Sequence, residues 1–337
     1  EEEEEEEEEN DVPAACPVIS KINQDRAVIV SPYGRSKFQK TALLAVYDGH
    51  GEGGEMISQF VQNELLRRLE LHPSFHSNID AAFQETFAQI DAASETDSRI
   101  QPLLCGTTAC VLLLRDSTVI AANLGDSRAV IGRIRNPNHN FEMATTTATE
   151  ERSLLSEQDH SLLSVAPLTV DQNPDSPGER ERIEGAGGFV SPPPEPGLPA
   201  RVWLDEECTL VGLAMSRSIG DHSVRDVGVI SMPVVSQHSL DTGDAPDEFI
   251  IVATDGVWEF ISSEEAVNIV GNCFLTHESK HIDTDCAIHK NKNGMDGAAS
   301  KGCQALISEA AKRWKENEGT YRDDITAIVV RYNQFFQ

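Results

Sequence analysis

The chain has 337 residues, 39% of them hydrophobic, and carries 27 Lys and Arg against 56 Asp and Glu, a formal net charge of −29. That length can bury a sizeable core in one large domain or two ordinary ones, and a charge that is still −20 with the nine glutamates at positions 1 to 9 set aside repels phosphate backbones and anionic lipid. Nucleic acid and membrane surfaces are thereby excluded as expected partners, and cationic partners, metal ions included, fit better.

Residues 1 to 10 read as an acidic, solvated tail. Strands are expected at Ala27 to Val30 and Ala42 to Tyr47, and the second stops abruptly at Asp48-Gly49-His50-Gly51. Asp-Gly alone is a favoured turn pair. It leaves His50 and the further glycines at 51, 53 and 54 unexplained, as if space were being kept. Met56, Ile57, Phe60, Val61, Leu65, Leu66 and Leu69 recur at helical spacing, and a second helix is expected over Ile79 to Ala93. Strands at Ala109 to Leu114, Val119 to Asn123 and Ala129 to Arg133, joined by Arg115-Asp116-Ser117 and Gly125-Asp126, look like an antiparallel meander.

Residues 134 to 200 concentrate Pro, Gly and charge and read as a long excursion, partly ordered near Glu179 to Val190. A strand follows at Phe249 to Ala253, then a helix over Ser263 to Val270 behind a Ser-x-x-Glu cap. Residues 276 to 296 read as a polar loop; a helix over Gly297 to Trp314 and a strand over Ile325 to Val330 close the chain. Strands dominate the middle without strict strand-helix-strand alternation, so an α+β sandwich with antiparallel sheets is favoured over a doubly wound fold.

The seven cysteines, at 16, 105, 110, 208, 273, 286 and 303, are odd in number and scattered, which favours a reducing compartment, cytoplasmic or nuclear. No run approaches the length of a membrane span. The chain does not open with Met, so any segment upstream would be invisible. Cys273, His277, His281, Cys286 and His289 lack the Cys-x-x-Cys spacing of a zinc knuckle, and a polar loop with scattered His is the favoured reading.

Three further places repeat the design of the first: Asp255-Gly256 ends a strand, Asp323 and Asp324 precede one, and Asp25 precedes another. Carboxylates converging at one sandwich edge would repel one another unless a cation neutralised them. Oxygen donors without His or Cys suit Mg²⁺ or Mn²⁺. Two such ions about 3.5 to 4 Å apart can hold a bridging water for phosphoryl hydrolysis. No cysteine is followed six residues later by Arg, as a phosphocysteine mechanism requires.

In order, "KINQD" (21 to 25), "VYDGHGEGG" (46 to 54), "CGTTACVLLL" (105 to 114), "AANLGDSRAV" (121 to 130), "ERERIEGAGGFV" (179 to 190), "LAMSRSIGDHSVR" (213 to 225), "FIIVATDGVWEFISSEEAV" (249 to 267) and "RDDITAIVV" (322 to 330) resemble the successive motifs of the metal-dependent protein serine/threonine phosphatases of type 2C. The resemblance implies an α-β-β-α sandwich of two antiparallel sheets over residues 11 to 337, with residues 134 to 200 as flap and insertion and 276 to 296 as a variable loop. It implies hydrolysis of phosphoserine and phosphothreonine on protein substrates by water bridging two Mg²⁺ or Mn²⁺ ions, without a phospho-enzyme. Asp48 would bridge the ions, Gly49 would offer its carbonyl, Asp255 and Asp323 would complete the first ion, and Asp25 would act through water. His50 would protonate the leaving oxygen or, in the other reading, orient a ligand. Asp126 and Glu259 would hold a third ion, although Asp126 also suits a structural turn, and Asp221 would stand near the metal edge. Lys21 would bind phosphate beside Ser20, where many members carry Arg. A monomer is expected.

The departures are Gln24 for a common Glu, Asp324 for a common Asn and Glu259 for an Asp. They bear on the affinity for the second and third ions. They leave open a pseudophosphatase that keeps the fold as a regulatory binding module, and a binding role for the acidic tail.

Overall fold

Strand β1 (Arg26–Val30) alternates half-buried and exposed residues, whereas β2 (Thr41–Tyr47) is buried at all seven positions. The first pattern suits the edge of a sheet, and the second requires a layer on each face. In chain order there follow β3 (Gly49–His50), α1 (Gly54–Leu71), α2 (Ile79–Thr96), β4 (Gly106–Thr107), β5 (Ala109–Arg115), β6 (Thr118–Leu124), β7 (Arg128–Ile134), β8 (Leu163–Pro167), α3 (Glu179–Gly185), β9 (Phe189–Ser191), β10 (Arg201–Trp203), β11 (Ile219–Gly220), β12 (Val234–Ser239), β13 (Asp247–Ala253), α4 (Asp255–Trp258), α5 (Ser263–Ile282), α6 (Gly297–Glu318) and β14 (Ala327–Arg331). The computed structural model describes residues 21–34, 41–135, 162–194, 199–241, 243, 246–282 and 297–332.

Two sheets carry the architecture, one ordered β1-β2-β5-β6-β12 and the other β14-β13-β7-β8, with every strand pairing antiparallel. Side-chain alternation assigns the faces. Leu43, Ala45 and Tyr47 of β2 join Val111 and Leu113 of β5 under α1 and α2, where Ile57, Val61, Leu65, Phe83 and Phe87 are fully buried. The intervening residues Ala42, Leu44, Val46, Cys110 and Leu112 face Ala129, Ile131, Ile250 and Val252 of the second sheet. On that sheet's outer face Val130, Phe249 and Ile251 pack with Val267, Val270, Phe274, Leu306 and Ala310 of α5 and α6. The layers therefore run helices, sheet, sheet, helices, as expected.

A three-stranded ribbon, β11-β4-β3, sits at the end of the first sheet, and α3, β9 and β10 form a smaller lobe around Ile183, Val202, Leu213, Met215, Val224 and Val229. Glu179 pairs α3 with Arg217 at 2.6 Å and, within the helix, with Arg182 at 2.8 Å. Burial pushes the Glu179 carboxyl up, but the two guanidinium groups and Ser216 outweigh it and bring it to about 2.

Three expectations need correction. The meander over residues 109 to 133 holds only for β5 and β6; β7 leaves for the second sheet, pairing with β13 and β8, while β12 takes its place beside β6. Part of the excursion after residue 134 belongs to the sandwich, since β8 is an edge strand of the second sheet. Residues 276 to 282 continue α5, whereas 283 to 296 lie outside the described residues, as do the acidic tail, Ser20, Cys286 and His289. The Ser-x-x-Glu cap forms as expected: Ser262 N donates to Glu265 Oε2 at 2.9 Å and Glu265 N to Ser262 Oγ at 3.2 Å.

Candidate active site

Four strand ends meet at one edge of the sandwich. Asp48 follows β2 and is fixed through its backbone, its N–H donating to Thr108 Oγ1 at 3.0 Å and its carbonyl accepting from Thr108 N at 2.9 Å. The Thr108 hydroxyl is itself held by Ser127 Oγ at 2.7 Å. Asp255 opens α4 directly after β13. The preceding Thr254 hydroxyl donates to Asp25 Oδ2 at 2.9 Å, just before β1, and accepts from Thr326 N at 3.2 Å, just before β14. One buried threonine thus ties three of the four strand ends together. Asp126 comes from the crossover between β6 and β7, not from a hairpin turn, and is buried.

The carboxyls crowd one another. Burial, then the neighbouring Asp255 and Asp25, hold Asp48 well above the ordinary carboxylate range. Burial raises Asp255, with Asp323 adding to it. Burial lifts Asp25 to about 6 against the opposing bonds from Thr326 and Thr254. Asp126 is pushed up to about 8 by burial, then by Asp255 and Asp171, and Glu259 to about 7 by burial, then by Asp255 and Asp323. Asp25 Oδ1, Asp126 Oδ1 and Asp255 Oδ1 are buried and find no hydrogen-bond partner among the described residues. Buried carboxylate oxygens without donors are costly. A hard divalent cation suits such a set, being all oxygen and mutually repelling. Among the described residues no three acidic, His or Cys side chains are drawn together as a closed ligand shell; the fit rests on the donor chemistry and the unpartnered oxygens.

Asp323 and Lys21 stand on the exposed rim. Lys21 Nζ lies 2.6 Å from Asp323 Oδ1 and 3.6 Å from Asp324 Oδ2. Partial burial lowers the ammonium pKa, but Asp323 outweighs it and the net shift is upward. Asp324 Oδ2 accepts from Gln24 N at 2.8 Å, so the residue in place of a common Asn anchors the segment before β1. Gln24 Nε2 donates to the Gly51 carbonyl at 2.7 Å. Of the glycines expected to keep space, Gly53 faces open space, with nothing within 4 Å of an added carbon, whereas such a carbon would lie 2.3 Å from the Leu104 carbonyl at Gly51 and 2.8 Å from the Gly49 carbonyl carbon at Gly54. Gly49, expected as a turn residue, is closed by backbone too, an added carbon lying 2.4 Å from the Gly54 carbonyl and 2.6 Å from that of Gln24.

His50 and Asp221 are 171 residues apart and meet at 2.7 Å, Nε2 to Oδ2. The ribbon explains the meeting: β3 and β11 flank β4, with His50 opposite Gly106 and Gly106 opposite Gly220. Only glycine fits at 106, where an added carbon would lie 2.1 Å from Asp221 Oδ2 and 2.8 Å from His50 Nε2. Burial would raise the Asp221 carboxyl, but His50 outweighs it and holds it below the usual range. Burial would likewise lower His50, but Asp221 outweighs it and raises the imidazole. An ionised carboxylate only accepts, so Nε2 carries the proton of this bond. Nδ1 is buried without a partner among the described residues.

Sequence reasoning passed over Thr108, Ser127, Thr254 and Gly106 as working residues. "CGTT" and "ATDG" had drawn notice as strings, but the partners of these residues come from other strands. Of the cysteine and histidine stretch, Cys273 lies in α5 with its thiol on the Ile269 carbonyl at 3.6 Å.

A family model described as protein phosphatase 2C matches residues 23–304. The chain is 32% identical over 322 residues to "Probable protein phosphatase 2C 72" of Arabidopsis thaliana, covering 91% of this chain and 80% of that one. It is 31% identical over 306 residues to "Probable protein phosphatase 2C 48" of Oryza sativa subsp. japonica, covering 85% and 79%. Among solved structures, a serine-threonine phosphatase 2C from Toxoplasma gondii superposes with a TM-score of 0.62 at 21% identity, covering 90% of this chain and 94% of that one, a likeness of fold.

Proposed function

The chain belongs to the protein phosphatase 2C family of serine/threonine phosphatases, and from that premise we propose that it is an active, metal-dependent enzyme that hydrolyses phosphoserine and phosphothreonine on proteins with water as the direct nucleophile. The observation that carries the reading is the group of acids formed by buried Asp25 and Asp126 and half-buried Asp48 and Asp255, each raised by desolvation and by its neighbours. In this reading Asp48, the Gly49 carbonyl, Asp255 and Asp323 would hold Mg²⁺ or Mn²⁺, and Asp25 would contribute through water. Asp126 and Glu259 would hold a third, weaker ion. When bound, such ions supply positive charge that acidifies water and stabilises the phosphate oxygens.

The chain's own groups do the rest. Asp221 favours the protonated His50 imidazole and orients it, so that Nδ1 would give its proton to the departing Ser or Thr oxygen. Thr108 fixes the backbone of Asp48 and Thr254 the carboxylate of Asp25 before substrate arrives, so that less reorganisation is needed at reaction. Lys21, on the rim, would exchange part of its bond with Asp323 for a phosphate oxygen as a point charge. Cys105, whose carbonyl accepts from Asp221 N, is an unsuited nucleophile, because burial pushes its thiol up to about 11.

Calorimetric titration of Mn²⁺ into chelator-stripped protein near pH 7, in two buffers of different ionisation enthalpy, tests the cluster. Binding should release protons, because Asp48 and Asp126 hold theirs above the ordinary range. A folded, stripped protein that takes up no Mn²⁺ would overturn the metal reading.

A further inference from the structure

Three large apolar side chains that stand exposed, Met56 at 48%, Leu103 at 60% and Leu104 at 61%, surround one shallow depression. It measures about 370 Å³ and lies between the start of α1, with Glu52 and Gly53, and the chain at Arg99, Ile100 and Leu104. Clustered exposed apolar groups mark binding surfaces more often than chance scatter does.

One wall of the depression abuts the active-site segment. A carbon on Gly51 would lie 2.3 Å from the Leu104 carbonyl, so this wall is pressed against the segment that carries His50. Its backbone is pinned on the other side as well: His222 N, Ser223 N and Asp221 N donate to the carbonyls of Pro102, Leu103 and Cys105 at 2.9, 3.0 and 2.9 Å. Two residues beyond Leu104, Gly106 abuts the His50–Asp221 pair. Two residues of chain span at most about 7 Å. A polypeptide with its phosphate at the acid cluster and its leaving oxygen at His50 therefore brings a neighbouring side chain over Met56 and Leu104.

The rim selects by charge. Arg99 is taken up by Asp97, through bonds of 2.9 and 2.5 Å, whereas Glu52 is exposed and the whole chain carries −29. Acidic flanks would be repelled there and basic ones attracted.

We propose that this depression is a substrate subsite: it receives an apolar side chain, of the size of Leu, Met or Phe, within about three residues of the phosphorylated Ser or Thr, in a substrate segment otherwise basic or neutral. The inference rests on the phosphatase reading and adds a substrate class to it. Its occupant is the substrate polypeptide, because the wall shares its backbone bonds with the residues that position the proton donor.

The test compares phosphothreonine peptides that carry Leu or Asp at each flanking position, with p-nitrophenyl phosphate as a substrate too small to reach the depression. In the wild-type chain Leu at one flanking position should raise kcat/KM about tenfold over Asp. Leu103→Asp and Met56→Glu, separately and together, should erase that preference and leave p-nitrophenyl phosphate turnover unchanged. A preference that survives in both variants, or none in the wild type, overturns the subsite. So does a change of oligomeric state in the variants without a change of peptide preference, which would assign the patch to a second copy of the chain. Absence of turnover on every substrate by folded, Mn²⁺-loaded wild type would overturn the phosphatase reading itself.

Discussion

Asp48→Asn is expected to lower turnover of a phosphothreonine peptide about 1,000-fold while making the chelator-stripped protein more stable. The activity loss follows because Asp48 lies among the other acids, raised by Asp255 and Asp25, and an amide cannot supply the negative charge that would hold the cations. The stability gain follows from the same crowding. Asp25 titrates at about 6 and Asp126 at about 8, above their unfolded value of about 4. Between those limits the folded chain binds more protons than the unfolded one. The stability these two acids contribute is therefore full below about pH 4 and is lost as pH rises through their folded values. His50 acts in the same direction, since its raised pKa gives stability that is present below the unfolded value and fades above the folded one. Glu179, near 2, is ionised in both states above about pH 6 and adds no slope there; below that its unfolded form takes up protons first and the slope it adds is opposite.

In chelator, the melting temperature of the wild type should fall between pH 5 and pH 8. Asp48→Asn should flatten that fall and gain on the order of 1 kcal/mol at the alkaline end. A variant that melts lower than wild type at pH 8 in chelator would contradict the account of a self-repelling site.

His50→Gln is expected to reduce kcat on a phosphoserine peptide about 100-fold, with a much smaller effect on p-nitrophenyl phosphate. The alkoxide leaving from Ser needs a proton and nitrophenolate does not, so unequal losses report proton donation. Equal losses on the two substrates would instead mean that His50 only orients a neighbour. Asp221→Asn is the companion variant. Asp221 sits at φ 49, a left-handed conformation that Asn tolerates. Its carboxylate is the group that raises His50. The substitution should therefore move the alkaline limb of kcat to lower pH and cost about tenfold in rate. An unchanged limb would deny Asp221 its positioning role.

Each acid that stands at a strand end was visible in the chain, because an apolar run broken by Asp-Gly or opened by Asp-Asp is a local signal. Asp25, Asp48 and Asp255 stand at or beside strand ends, as that signal put them, whereas β14 opens only at Ala327, leaving Asp323 four residues ahead of it. The crossover at Asp126 was not visible. "NLGDSRAVI" has the form of a hairpin, and β6 and β7 are each buried on both faces through most of their length, so alternation carries no information about which sheet pairs them. β12, "VVSQHS", was missed because it is an exposed edge strand with polar residues at its end. α5 was read too short because its second half is polar, although Phe274 remains fully buried and stacks on Phe249 at 5.0 Å. The His50–Asp221 bond could not be seen from either residue's neighbours. It arises from two short strands flanking a third, with a glycine at the only place where a side chain would block the contact.

The most direct measurement is phosphate release from a phosphothreonine peptide by the wild-type chain as Mn²⁺ or Mg²⁺ is titrated from a chelated start. The account predicts no release in chelator, saturable release as either ion is added, and no phosphate trapped on the protein by acid quench. Folded protein that stays inactive at millimolar metal would contradict it and favour a regulatory phosphatase fold in which Gln24 and the Lys21–Asp323 pair have disabled the site.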